Sequence, residues 1–343
     1  MHIKCSDSKA TNIEYCKVRT DIRDYFAEYI QTCFSIDKTR HLILIDYSTL
    51  RSEPRMCAAV WGAGRKVFKC VDVHCGGEPA RVLLSGCPRV EGADMLERRK
   101  YFMTELDQVR RVLLTEPRGY PCQNLNIILP PSDSRAEAGY IIAEQNGIYP
   151  LFSGHNTICV VTALLETGHV TMTEPISRFK LESPGGLISV EARCEAGRVT
   201  EVNMTSLPSF VGRRDVEVEV PSLGKVTVDL VFGGMWFVIV SAEQLGLEIR
   251  AEEGGRLARL GEMIKVAARE QSPISHPALQ YEGPDILAWT EGSGLTRRNT
   301  VVMSNKVLHW DRPDTQAGRS HNYQHQPFLF FPPPSIPALD NLS

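Results

Sequence analysis

No stretch of this 343-residue chain approaches the roughly 18 consecutive apolar residues that a membrane span requires, so no membrane partner is expected. Nor is there an excess of positive charge. Its 38 lysines and arginines against 41 aspartates and glutamates leave a net charge of −3, which argues against nucleic acid as a partner. The ten cysteines include no Cys-x-x-Cys pair, which points to reduced thiols and a cytoplasmic location. The first residues, Met1-His2-Ile3-Lys4-Cys5-Ser6-Asp7, lack the apolar core of a secretory signal. Glycine is missing from residues 319–343, which hold five prolines and the run Phe328-Leu329-Phe330-Phe331-Pro332-Pro333-Pro334. That text can continue neither a helix nor a central strand, and a disordered tail is expected there. What is present, 43% hydrophobic and 23% charged residues, reads as soluble and globular. The length suggests about two domains of roughly 150 residues.

Residues 1–65 are polar and irregular in spacing; only His41-Leu42-Ile43-Leu44-Ile45 reads as a strand, and the segment is taken as an N-terminal extension. From 66 to 208 strand and helix patterns alternate. Val67-Phe68-Lys69-Cys70-Val71 and Arg81-Val82-Leu83-Leu84 predict strands. Residues 95–114 predict one helix, with Leu96, Phe102, Leu106, Val109 and Leu113 recurring at threes and fours and Glu116-Pro117-Arg118-Gly119 ending it. Further strands are expected over 125–129, 140–143, 179–182, 187–192 and 199–204. The same grammar restarts over 209–318, with a hairpin carrying Val216, Val218, Val220, Val226, Val228 and Leu230, a helix over 251–270 and a strand over 300–303.

The most informative stretch runs from Phe152 to Gly168. It opens as a polar turn, Ser153-Gly154-His155-Asn156, and continues as a helix that is apolar on nearly every side, the pattern of a buried helix. Gly168 stands where a helix-ending glycine belongs. The first N–H groups of such a helix have no intrahelical acceptor and sit at the positive end of its dipole, so a carboxylate or phosphate is favoured there.

Six motifs in order, Val71-Asp72-Val73-His74-Cys75-Gly76-Gly77-Glu78-Pro79, Glu116-Pro117-Arg118-Gly119, Ser153-Gly154-His155-Asn156-Thr157, Phe232-Gly233-Gly234-Met235, His276-Pro277 and Arg298-Asn299, resemble the proline racemase family, which includes hydroxyproline epimerases and trans-3-hydroxyproline dehydratases. The resemblance covers roughly residues 66–318. It implies an α/β (α+β) fold like that of diaminopimelate epimerase, two pseudo-symmetric domains (66–208 and 209–318) each with a sheet wrapped round a central helix. It also implies an active site where the two central helices present their N-termini, with no cofactor such as pyridoxal phosphate. A residue on each face of the substrate α-carbon moves a proton. In the racemases and epimerases both residues are cysteines, for which a helix N-terminus is a suitable setting.

This sequence departs from that pattern. The first position is Ser153, whose hydroxyl is too weak an acid to serve as a free base, so a positioning, relay or water-binding role is expected. The second motif is absent: after Trp310-Asp311-Arg312-Pro313 the text runs Ala317-Gly318-Arg319-Ser320-His321 into the proline-rich tail, and the second domain is read as truncated. The resemblance implies Gly154, His155 and Asn156 as substrate-binding residues. The implied partner is a small imino acid, a hydroxyproline, with a homodimer as the assembly. The leading expectation is a trans-3-hydroxy-L-proline dehydratase (a lyase); 4-hydroxyproline 2-epimerisation (an isomerase) and a catalytically dead binding relative are the alternatives. Little or no turnover is expected of this polypeptide.

Other residues carry weaker signals. Ser153 also suits a plain N-cap, and Cys159 a small buried hydrophobe. Cys70, His74, Cys75 and Cys87 match no zinc spacing, so no metal is expected. Asp72, His74 and Glu78 either shape the site or fix a tight turn beside Gly76 and Gly77.

Overall fold

The structure is a computed structural model. It describes residues 67–75, 78–145, 147–205, 207–292 and 298–303 in full, and residues 13–16 and 40–46 as backbone strands. The expected tail and the text around Asp311 lie outside the described residues. The chain divides into two compact units, residues 2–205 and 206–343.

The first unit carries a nine-stranded mixed sheet whose strands lie side by side in sequence order: β1 (Ile13–Cys16), β2 (Arg40–Asp46), β3 (Val67–Cys75), β4 (Glu78–Ser85), β5 (Asn124–Leu129), β6 (Ala138–Ala143), β7 (Ile176–Ser183), β8 (Gly186–Glu195) and β9 (Arg198–Met204). Two of these come from the segment read as an extension. Strand β2 pairs antiparallel with β3, and the four-residue β1, too short to show a periodic pattern, pairs parallel with β2. Residues 95–114 form two helices rather than one. Helix α1 (Met95–Glu105) starts at Asp94, whose carboxylate accepts from the Glu97 amide at 2.8 Å, and α2 (Asp107–Leu114) follows after Leu106 leaves helical geometry. The apolar repeat runs unbroken through Leu106, so spacing alone could not show the break. Both helices cover one face of the sheet, packing Met95, Phe102, Leu106, Val109 and Leu113 over Leu83, Leu125, Ile127 and Ile141.

The other face holds α3 (Gly154–Glu166). Every residue from Asn156 to Leu165 is buried, as an all-round apolar helix requires. It packs against β3, β4 and β5 and again against β9, so the sheet curls until strands from both of its halves reach one helix. Ile158, Val160, Val161, Leu164 and Leu165 are each less than 5% exposed, worth about 1.5–3 kcal/mol apiece in area removed from water. The helix stops where Gly168 adopts φ +74°, a conformation that costs other residues strain, while the Thr167 and Gly168 amides donate to the carbonyls of Ala163 and Leu165.

In the second unit, a five-stranded sheet has the order β10 (Phe210–Val220), β11 (Gly224–Phe232), β12 (Trp236–Ser241), β15 (Ile286–Glu291), β16 (Arg298–Val302). A short ladder, β13 (Ile274–Ser275) with β14 (Glu282–Gly283), lies apart from it. The hairpin expected around Val216 to Leu230 is β10 and β11, with Val218 opposite Val226. Helix α4 (Gly254–Gln271) packs against β10, β15 and β16. Its Gly261 is a close-approach position: a Cβ there would sit 2.8 Å from Val302 and 2.9 Å from the Trp289 indole nitrogen. Strands β12 and β15 were not expected, because their apolar text lacks a clean period of two.

Candidate active site

Ser153 caps α3, in extended backbone geometry (φ −147°, ψ 128°), and Gly154, His155 and Asn156 form the first turn of the helix. The four residues read from the sequence therefore come together at one helix end, and two hydrogen-bonded chains hold Ser153 there. The Thr157 hydroxyl donates to the Ser153 carbonyl at 2.7 Å. Its single proton is thereby used, so the Tyr140 hydroxyl, 2.6 Å away and fully buried, must be the donor to Thr157. The second chain reaches the side chain. The Asn156 backbone N–H and side-chain amide donate to Ser153 Oγ at 3.4 and 3.0 Å, and the Asn126 amide donates to Asn156 Oδ1 at 2.8 Å.

His155 is fixed from β4. Its Nε2 lies 2.8 Å from the Glu78 carbonyl oxygen, which can only accept, so Nε2 carries a proton. The Glu78 carboxylate is 3.5 Å from Nδ1, and Cys159 Sγ is 3.6 Å from Nε2. Both His155 and Glu78 side chains are about nine-tenths buried, which strengthens the electrostatic coupling between them.

The β3–β4 hairpin sorts the remaining candidates by face. Strand alternation places Val71, Val73 and Cys75 on one side and Asp72 and His74 on the other. Asp72 stands opposite Arg81 and takes two 2.8 Å bonds from its guanidinium. Arg81, 2% exposed, also donates to the carbonyls of Leu113 (2.8 Å) and Arg118 (2.7 Å), so it ties the hairpin to the Glu116–Gly119 turn. Asp72 is thus a structural ion-pair partner, whereas Glu78 reaches His155. Burial pushes the Cys70 thiol up to about 12, which keeps it protonated and inert. Among the described residues no three His, Cys, Asp or Glu side chains are grouped as metal ligands. No described helix is long and apolar enough to cross a membrane.

Asn126 and Tyr140 were not singled out from the sequence, and Thr157 entered only as the last residue of a motif. The available signal was Asn126 itself, a polar residue in the middle of the apolar strand text Asn124-Leu125-Asn126-Ile127-Ile128-Leu129. A buried polar side chain has to be hydrogen-bonded, and that need marks it as a candidate for a specific task.

A sheet wrapped round a buried helix, with a capped and polar helix N-terminus beside a strand hairpin, defines an α+β protein of the diaminopimelate epimerase type. The family model for proline racemase matches residues 70–323, and the chain belongs to the proline racemase family. It is 38% identical over 213 residues to a 4-hydroxyproline 2-epimerase of Streptosporangium roseum, covering 62% of this chain and 64% of that protein. It is 36% identical over 217 residues to a proline racemase of Acetoanaerobium sticklandii, covering 63% and 64%. The chain thus spans a little under two thirds of the length of these curated relatives. Crystal structures similar to it include two of note. One is a probable proline racemase from Agrobacterium radiobacter with bound carbonate (33% identity, TM-score 0.67, 71% of this chain and 72% of that one). The other is a hydroxyproline epimerase from Agrobacterium vitis with bound trans-4-hydroxy-L-proline (32% identity, TM-score 0.67, 71% and 72%).

Proposed function

We propose that this protein binds a hydroxyproline by its carboxylate at the N-terminus of α3 and belongs to chemistry at the substrate α-carbon. The observation that carries the reading is Ser153 as the cap of a helix buried from Asn156 to Leu165, whose first turn is Gly154-His155-Asn156. The amides of that turn and the helix dipole favour a carboxylate, and the same groups stabilise the charge that grows as the α-proton leaves. A carboxylate-bearing ligand is in keeping with two solved relatives, one with bound trans-4-hydroxy-L-proline and the other with bound carbonate, itself a planar oxyanion.

The leading reaction is dehydration of trans-3-hydroxy-L-proline. A base on one face removes the α-proton, the electron pair forms the Cα–C3 double bond, and the 3-hydroxyl leaves with a proton as water. Tautomerisation gives a cyclic imine. This needs one strong base, a role that no described residue is assigned and for want of which little turnover is expected, and Ser153 on the other face has only to donate a hydrogen bond. Epimerisation of 4-hydroxyproline is the second reading, favoured by the 38% identical relative that bears that name. It requires proton delivery to the opposite face, a task that a hydroxyl performs poorly.

Incubation with each hydroxyproline separates the two: an imine product from the 3-hydroxy isomer supports dehydration, and inverted stereochemistry of the 4-hydroxy isomer supports epimerisation. Stabilisation by ligand without product identifies a binding protein. No interaction with any isomer refutes the reading.

A further inference from the structure

We infer that Asn126 is a positioning residue that acts through Asn156 to hold the Ser153 hydroxyl as a hydrogen-bond donor, with both its acceptor sites filled and its proton directed away from α3. The inference rests on the proposed hydroxyproline site only for its ligand arm.

A serine hydroxyl has one proton and two acceptor lone pairs. Both acceptor sites of Ser153 Oγ are occupied by Asn156, one by its backbone N–H at 3.4 Å and one by its side-chain NH2 at 3.0 Å. The remaining capacity of the oxygen is its own proton. The side-chain amide of Asn156 could equally well present its oxygen to Ser153 and draw that proton inward. The two amides are oriented as a pair, with Asn126 as the donor. Its NH2 donates to Asn156 Oδ1 at 2.8 Å, which commits the Asn156 oxygen to β5 and leaves its NH2 for Ser153. Asn126 is 0% and Asn156 1% exposed, so water does not compete for either amide. Among the described residues Asn126 Oδ1 has no hydrogen-bond partner, so its donor side alone is bonded. The backbone of Ser153 is separately pinned through Thr157 and Tyr140, so the Asn126 chain acts on the hydroxyl and not on the position of the residue.

The consequence is chemical. A hydroxyl whose lone pairs are filled is disabled as a proton acceptor and is prepared to donate to an anionic or departing oxygen. The same two N–H groups would stabilise negative charge left on Oγ. Replacing Asn126 by an isosteric acceptor should therefore turn the relay round.

The test is Asn126→Asp, studied in the full chain. The introduced carboxylate can only accept, so Asn156 must turn its NH2 toward β5 and its oxygen toward Ser153, whose proton is then withdrawn from the ligand. Burial raises the pKa of that carboxyl, and once protonated it can donate and restore the original orientation. Affinity for trans-4-hydroxy-L-proline, measured by calorimetry, should fall by about tenfold or more at pH 8 relative to the wild type and regain wild-type affinity on acidification, the wild type being titrated over the same window to account for His155 and Glu78, which also face the site. Asn126→Thr, which keeps a donor, should bind without the pH response. Ser153→Ala should abolish the response in the double variant, an outcome that a merely structural role of Asn126 would not produce. A ligand-independent readout accompanies these: the Asn156 side-chain amide signals, followed by NMR, should shift on Ser153→Ala and titrate in Asn126→Asp. Amide signals that ignore both substitutions overturn the inference. Signals that respond in a wild type that binds no hydroxyproline sustain it and remove the functional reading instead.

Discussion

Arg81 offers the sharpest test of how the hairpin is built. Its guanidinium is 97% buried, makes two 2.8 Å bonds to Asp72 and holds the carbonyls of Leu113 and Arg118 at 2.8 and 2.7 Å. Arg81→Met keeps most of the aliphatic stem but leaves the Asp72 carboxylate, itself only 25% exposed, without its main partner. It also strands two backbone acceptors. Breaking a buried pair from one side costs about 3–5 kcal/mol, chiefly as the penalty on the group left behind. Removing both charges with Asp72→Val and Arg81→Met should therefore cost less than Arg81→Met alone, since no carboxylate remains to be desolvated. Because the chain has two compact units, whole-chain melting is a poor measure, and native-state amide exchange at β3 and β4 is the proper assay. An Arg81→Met loss below about 1 kcal/mol, or strictly additive effects in the double variant, would refute this account of the hairpin. The stake is functional as well, since β4 delivers the Glu78 carbonyl to His155.

Two further outcomes concern the second unit, where Trp236 and Trp289 are buried and report unfolding by fluorescence. Gly261→Ala should destabilise it: the gain of about 1 kcal/mol in helix propensity is outweighed by overpacking against Val302 and Trp289, which typically costs about 1–3 kcal/mol, and an increase in stability would contradict the packing described for α4. His276 should make this unit sensitive to acid. Burial holds its pKa below the ordinary value of 6.5, and its Nδ1 accepts from the amides of Ala278 (3.1 Å) and Leu279 (2.9 Å). Above pH 6.5 both states are neutral there; as pH falls below it the unfolded state takes up the proton first, so stability declines. His276→Gln should flatten that decline, and an unchanged slope would exclude His276 as its source.

How much of this was legible depends on whether the cause is local. The capped, buried helix from Gly154 to Glu166 could be read directly, because polar start, apolar body and Gly168 stop lie in one continuous stretch. The hairpin of β10 and β11 was legible for the same reason, its alternating valines being adjacent in sequence. The break at Leu106 was hidden by an apolar repeat that continues across it. Asn126 and Tyr140 could not be tied to Ser153, since 26 and 12 residues intervene and only the wrapping of the sheet brings β5 and β6 to the helix. The motif residues Asp72 and Glu78 were visible but ambiguous. Strand alternation, set by the hairpin register, sends Asp72 to Arg81, and the 2.8 Å bond to its carbonyl brings Glu78 to His155.

The central claim is that the N-terminus of α3 receives a hydroxyproline carboxylate beside Ser153. Calorimetric titration of the purified chain with trans-4-hydroxy-L-proline and trans-3-hydroxy-L-proline tests it most directly, with Ser153→Ala as the comparison. The account predicts one saturable site per chain whose affinity drops about tenfold or more when the hydroxyl is removed. No binding of either isomer, or binding that Ser153→Ala leaves unchanged, would contradict it.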